Sequence, residues 1–355
     1  MIAPAAGLLV IAAACTPAAG DRISRIGCCA HEIERSGDPH ALLTSSPPVR
    51  GPGRSQSPEA LAAERDRALE QAAAELQAGR KAEAKRQLLA AADRFDSVRA
   101  LLQLARVQSG EGDAAGARAT LERARVLAPN AEEVLSAIAQ VSLAARTPVP
   151  AILALEPLSR VFPAVAQHHY LLGVALMQAG DMFNAVDALR EAERLEPTRP
   201  LTLIALGIAL NNRKMFGEAK GVLLRALERE PESVEARAAL AEAEEGLDEL
   251  DAADRHAARV LAQAPANATA NLVAGMVRMK TGRYSDAREA LERAAAADPE
   301  SPKPYYQLSL ALARLGDAAA SAKYLELYRE KLGAMSARVE ELRKAGVSSR
   351  GGMQP

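Results

Sequence analysis

The chain has 355 residues, 49% of them hydrophobic, so a substantial core can form. Only 3% are aromatic and none is Trp, so that core has to be built from aliphatic and small side chains. Its 44 Lys and Arg against 45 Asp and Glu give a net charge of −1, which removes the electrostatic reason to expect nucleic acid or an anionic membrane surface as partner. Three Cys exclude a disulfide scaffold, and no apolar run reaches the roughly eighteen residues that cross a bilayer.

Residues 2–14 (IAPAAGLLVIAAA) form a short apolar stretch that ends in small side chains before Cys15. Such a stretch resembles the apolar part of a secretory signal. The run Ile11-Ala12-Ala13-Ala14-Cys15 also resembles a bacterial lipobox, with Ala12 where that pattern favours Leu and no basic residue ahead of the run. The resemblance implies a signal segment over 1–20 and a lipid on Cys15, hence a protein held at the bacterial cell envelope on its periplasmic side. Ordinary export, or a cytoplasmic protein with an Ala-rich tail, are the alternatives.

Residues 21–58 carry Pro, Gly, Ser and Arg without hydrophobic periodicity, as in SSPPVRGPGRSQSP at 45–58. A segment of this kind cannot bury enough apolar area to offset its ordering entropy, so a disordered tether is expected. Within it, Cys28-Cys29-Ala30-His31 supplies too few ligands for a metal site.

From Glu59 onward the chain changes character. Pro129, Pro163, Pro197, Pro231, Pro265 and Pro299 recur every 34 residues. Twelve residues before each stands Ala117, Ala151, Ala185, Ala219, Ala253 or Ala287. Twenty-four before each stands Ala105, Ala139, Gly173, Gly207, Ala241 or Gly275. Eight before each stands Leu121, Leu155, Leu189, Leu223, Ala257 or Leu291. A small side chain lets two crossing helices approach closely, Leu fills the flanking hole, and Pro ends the unit. Asn130, Thr198, Ser233, Asn267 and Ser301 are suited to cap the next helix, and Asn130 with Glu133 has capping-box spacing. Gly112, Gly180, Gly282 and Gly316 mark turns inside the units.

These columns resemble the tetratricopeptide repeat, a 34-residue helix–turn–helix unit. The resemblance implies an all-α protein, an α-solenoid coiled as a right-handed superhelix of about seven to eight units. The units fall at 98–131, 132–165, 166–199, 200–233, 234–267, 268–301 and 302–335. Upstream, 59–97 is expected as a degenerate helical repeat, because Glu83 and Phe95 replace the second-helix Ala and the Pro. The last second helix is expected to run on from about Ala318 to Ala345 as a long C-terminal cap, residues 336–345 being its end and 346–355 a disordered tail. Pro148, Pro150 and Pro157 predict an altered turn and a kink in unit 132–165.

In this family the first helix of each unit lines a concave face. Carried over by position, that places Tyr170, Val174 and Met177, then Ile204, Ile208, Asn211 and Asn212, in a groove that binds a partner. Leu272, Met276, Met279, Tyr306 and Leu310 continue it. Glu235, Glu242 and Glu245, in the stretch 241–254, lend it an acidic segment that would suit basic residues on a partner or simply face water. An amphipathic helix or extended peptide with aliphatic anchors would fit such a surface.

None of His31, His40, His168, His169 and His256 stands at metal-ligand spacing, and neither a phosphate-cradling Gly loop nor a nucleophile elbow occurs. The sequence therefore indicates a non-catalytic protein–protein interaction scaffold with no cofactor. A cytoplasmic co-chaperone or regulatory adaptor, or an organising subunit of an enzyme complex, are alternatives.

Overall fold

The computed structural model describes residues 57–346. The stretch read as a signal segment, Cys15, Cys28, Cys29 and nearly all of the stretches read as tether and tail lie outside the described residues. Among those described, the chain forms sixteen α-helices and no strand. They come in eight helix–turn–helix pairs: α1 (Pro58–Gln77) with α2 (Lys81–Phe95), α3 (Val98–Gly110) with α4 (Ala114–Leu127), α5 (Glu132–Ala144) with α6 (Pro148–Val161), and α7 (Ala166–Ala179) with α8 (Met182–Leu195). Then follow α9 (Pro200–Asn212) with α10 (Phe216–Arg229), α11 (Val234–Gly246) with α12 (Leu250–Gln263), α13 (Ala268–Lys280) with α14 (Tyr284–Ala297), and α15 (Pro302–Arg314) with α16 (Ala318–Lys344). Each helix packs on its chain neighbours, within its pair and across to the next, which is the construction of an α-solenoid.

The sequence columns meet in space. All six Ala of the second-helix column are fully buried, as are the residues four on, five Leu and Ala257. A Cβ placed on Gly173 would lie 2.5 Å from Cγ of Leu189; on Gly207, 2.4 Å from Cγ of Leu223; on Gly275, 2.5 Å from Cγ of Leu291. Each glycine thus admits the branch point of the Leu sixteen residues later against its own backbone. A third buried column, Ala124, Leu158, Ala192, Ala226, Val260 and Ala294, completes the second helix's inward stripe.

The turn within each pair also keeps the 34-residue beat. Gly112, Arg146, Gly180, Lys214, Asp248, Gly282 and Gly316 all have φ between 53° and 88°, the left-handed region. Three of the seven are not glycine and carry the cost of a Cβ there, on the order of 1 kcal/mol each. At Arg146 this preserves the ordinary turn in a unit expected to lose it. Thr147 donates its N–H to Ser142 O at 2.9 Å, and Pro148 and Pro150 fall in the first turn of α6, whose N–H groups have no intrahelical partner. α6 continues as one helix through Pro157, the residue at which its sequence predicts a kink. The residue four before it, Leu153, is on the exposed face, so the carbonyl that Pro157 leaves unpaired faces water.

Other sequence expectations are displaced by one residue. The helix N-caps are Ala131 and Arg199, not Asn130 and Thr198, and no capping box forms at Asn130. Ser233 and Asn267 do cap, accepting the N–H of Ala236 at 3.3 Å and of Ala270 at 2.9 Å. In the first pair, buried Ala72, Ala84 and Leu88 and the turn residue Gly79 each stand one residue later than the ladder requires. The link from α2 to α3 is short, Asp96 alone in left-handed conformation before the cap Ser97. Glu83 is therefore a surface residue beside the small position rather than a substitute for it. α1 opens at Pro58, inside the stretch read as tether, because Ser57 accepts the Ala60 N–H and Pro suits the first helical position.

Gly207→Ala is expected to lower stability by about 1–2 kcal/mol, the overpacking against Leu223 outweighing a helix-propensity gain of about 1 kcal/mol. Chemical denaturation of the full chain checks this, and a stabilised variant would contradict the close-approach reading.

Candidate functional site

The first helices form the inner layer of the array. From α3 with α5 through α13 with α15, each touches the first helix of the next unit, and no such contact of like extent joins successive second helices. Long ionic side chains span the wider outer spacing instead, Arg123 to Asp93 at 2.6 Å and Arg190 to Glu218 at 2.7 Å. Exposed pairs of this kind add roughly 0–1 kcal/mol each. Burial follows the same division: α7, α9 and α11 each bury nearly twice as many residues as the helices they pair with, or more. The inner layer is the concave face.

Not every residue expected on that face is accessible. Tyr170 is only 3% exposed, packed in the core with the Arg199 guanidinium 5.0 Å above its ring. Ile204 and Leu272 are likewise buried, and so is Asn211, whose amide donates to Ala239 O at 2.8 Å across the unit boundary. These four hold units together rather than face a ligand. Val174, Met177, Ile208, Met276 and Met279 are half-buried, while Asn212, Tyr306 and Leu310 are exposed. The Asn212 amide turns back to Ile208 O at 3.0 Å. Tyr306 lies against Tyr328 of α16, ring centroids 5.2 Å apart.

Two of the three acidic residues expected on the face, Glu242 and Glu245, already have cationic partners within the chain, while Glu235 is exposed. Lys280 Nζ lies 2.8 Å from Glu245, 3.1 Å from Asp248 and 2.9 Å from Glu245 O. Lys303 reaches across two units to Glu242 at 2.6 Å, and His256 Nδ1 lies 2.7 Å from buried Glu244. Partial burial would pull the Lys280 pKa down, but its hydrogen bonds and charge contacts with Glu245 and Asp248 outweigh this and hold it above the ordinary value. Glu242 and Glu245, mostly buried and paired, are therefore neither a solvated face nor open sites for a basic partner.

Several polar side chains on the first helices bind the chain itself. Six residues after the unit prolines, His169, Asn271 and Tyr305 reach back to the proline carbonyl at 2.9 to 3.1 Å, and Arg237 does the same. His168 is buried against the Phe162 ring with Nε2 3.3 Å from Glu132. Among the described residues no group of three or more His, Cys, Asp or Glu could hold a metal ion. The sequence reading missed one feature of the face, the end of α16. Met335, Val339 and Leu342, spaced i, i+4, i+7 beyond the length of an ordinary second helix, were its visible signal.

The fold and the inner face define a helical-repeat scaffold. Tetratricopeptide-repeat models match residues 99–131, 150–200, 245–302 and 272–334. A tetratricopeptide repeat protein from Parabacteroides merdae ATCC 43184 has a similar structure, TM-score 0.56 at 13% identity, covering 70% of this chain and 98% of its own. A chain of the APC/C hetero-tetramer Cut9–Hcn1 gives 0.53 at 20% identity over 68% of this chain and 48% of that longer one. A human IFIT1 dimer with PPP-AAAA gives 0.50 at 15% identity over 77% of this chain and 72% of its own. No curated protein matches the sequence. The chain is a tetratricopeptide-repeat protein.

Burial of His168 holds its pKa below the ordinary 6.5, opposed by the Glu132 charge, with neighbouring His169 adding to the lowering. The folded state therefore prefers the neutral imidazole, and its contribution is complete above pH 6.5 and lost as the pH falls through the depressed value. Denaturant midpoints are expected to drop between about pH 7.5 and about pH 5.5, and His168→Gln to flatten that drop. An unchanged slope would assign the effect to another group.

Proposed function

We propose that this protein is a non-catalytic scaffold that holds a helical or extended peptide of a protein partner against its concave face. The half-buried apolar row of the inner layer, Val174, Met177, Ile208, Met276 and Met279, carries the reading. Met adapts to varied partners and leaves affinity to shape and burial rather than to charge. The neutralised Glu242 and Glu245 remove the electrostatic attraction that a basic partner would use. One structural neighbour is assembled as a hetero-tetramer with another protein and one was solved with PPP-AAAA. The overall balance of charge favours a protein partner here. The scaffold would be tethered to a bacterial envelope membrane, on the periplasmic side, by a lipid on Cys15.

Two experiments test this. A partner recovered with the wild-type chain is expected to be lost, about tenfold or more, with Met276→Glu plus Met279→Glu, and kept with Val126→Glu plus Val161→Glu on the exposed second helices. Equal recovery by both variants would refute the groove. In the native organism, metabolic labelling with a fatty acid is expected to tag the protein and to fail with Cys15→Ser. An untagged wild-type chain would remove the tether.

A further inference from the structure

α16 has 27 residues where the other second helices have 14 or 15, so it extends about 18 Å past the end of an ordinary unit. The extension does not project into water. It returns to α7, four units earlier in the array, and this contact joins helices farther apart in the chain than any other of comparable extent.

The contact is built at both ends of the extension. Lys331 and Arg338 lie 3.0 and 3.2 Å from Glu300, in the link between α14 and α15, and fix where the extension leaves its own unit. Beyond them, Met335 and Val339 close over the turn after α7. The position a Cβ would take on Gly180 is 3.0 Å from Met335 Cγ and 3.4 Å from Val339 Cγ2. Leu342 is fully buried and Val339 is 6% exposed, and Leu342 belongs to the same core cluster as Leu135, Leu143, Leu176 and Ala179. Met335, Val339 and Leu342 share one helix face, while Ser336, Ala337, Arg338, Glu340 and Glu341 on the other sides stay exposed.

Building on the groove reading above, we propose that residues 334–344 are a built-in helical ligand. They occupy the α7 end of the binding face, and that end accepts an amphipathic helix with aliphatic anchors at i, i+4 and i+7. A partner helix of the same pattern has to displace the extension before it seats. Covalent continuity with the rest of α16 gives the extension an effective concentration on the order of millimolar or above at its own site, so only a closely matched or tightly bound helix competes. The apparent affinity of any external helix is scaled down to the fraction of molecules in which the site is free.

The test uses the full chain and a fluorescent peptide of residues 331–346. Val339→Glu with Leu342→Glu should release the extension, and Leu342→Ala is a milder second variant should the first unfold. The released chain is expected to bind the peptide about tenfold or more tightly than wild type, and amides of 334–344 to exchange about tenfold or more faster than in wild type. A peptide carrying Leu342→Glu should bind neither protein. Equal binding of the unaltered peptide to both chains, or no binding to either, would overturn the proposal. Because these measurements need no partner, their failure is distinct from failure of the groove reading, which the inner-face glutamate variants report separately.

Discussion

The distance between two helix backbones within a pair is the constraint on which the array rests. At Gly173, Gly207 and Gly275 the first helix offers no side chain, and the Leu sixteen residues later sits where a Cβ would be. Where Ala replaces Gly, as at Ala105 and Ala139, the same Leu column is still fully buried. In the α11–α12 pair both positions, Ala241 and Ala257, are Ala and both are fully buried. A pair held this close presents its other faces at fixed angles, and stacking such pairs fixes which helices crowd inward.

That inward crowding governs the chemistry of the concave side. Two polar residues between units have partners within the chain, Asn211 with Ala239 O and Lys280 with Glu245 and Asp248. Among the accessible positions is an aliphatic and thioether row, Val174, Met177, Ile208, Met276 and Met279. An apolar row of this kind recognises shape and apolar pattern rather than charge.

The repeat was legible because its columns reflect a steric need that recurs at every unit, so period and residue size alone reveal it. The turn column was only partly legible. Arg146, Lys214 and Asp248 adopt the glycine conformation without being glycine, since the packed pair imposes that geometry on whatever residue falls there. The first pair was obscured by a one-residue shortening of its exit, which moved Ala72, Gly79, Ala84 and Leu88 together and left Glu83 in the expected slot. The binding face was harder to read. Tyr170 and Met177 have equivalent standing in the family's position code, yet one is sealed beneath Arg199 and the other is half open. Which of them is reachable depends on the neighbouring unit, and no property of the residue itself encodes it.

The link from the end of the chain to its middle alters how such an array should come apart. A solenoid coupled only to nearest neighbours can fray one unit at a time from either terminus. Here the last helix is tied to the fourth pair through Val339 and Leu342, and Lys303 is tied to Glu242 two units back. Loss of any pair between them would break a closed loop of contacts. The C-terminal half is thereby made to melt as a block, while the N-terminal pairs, which lack such a cross-brace among the described residues, keep the freedom to open singly.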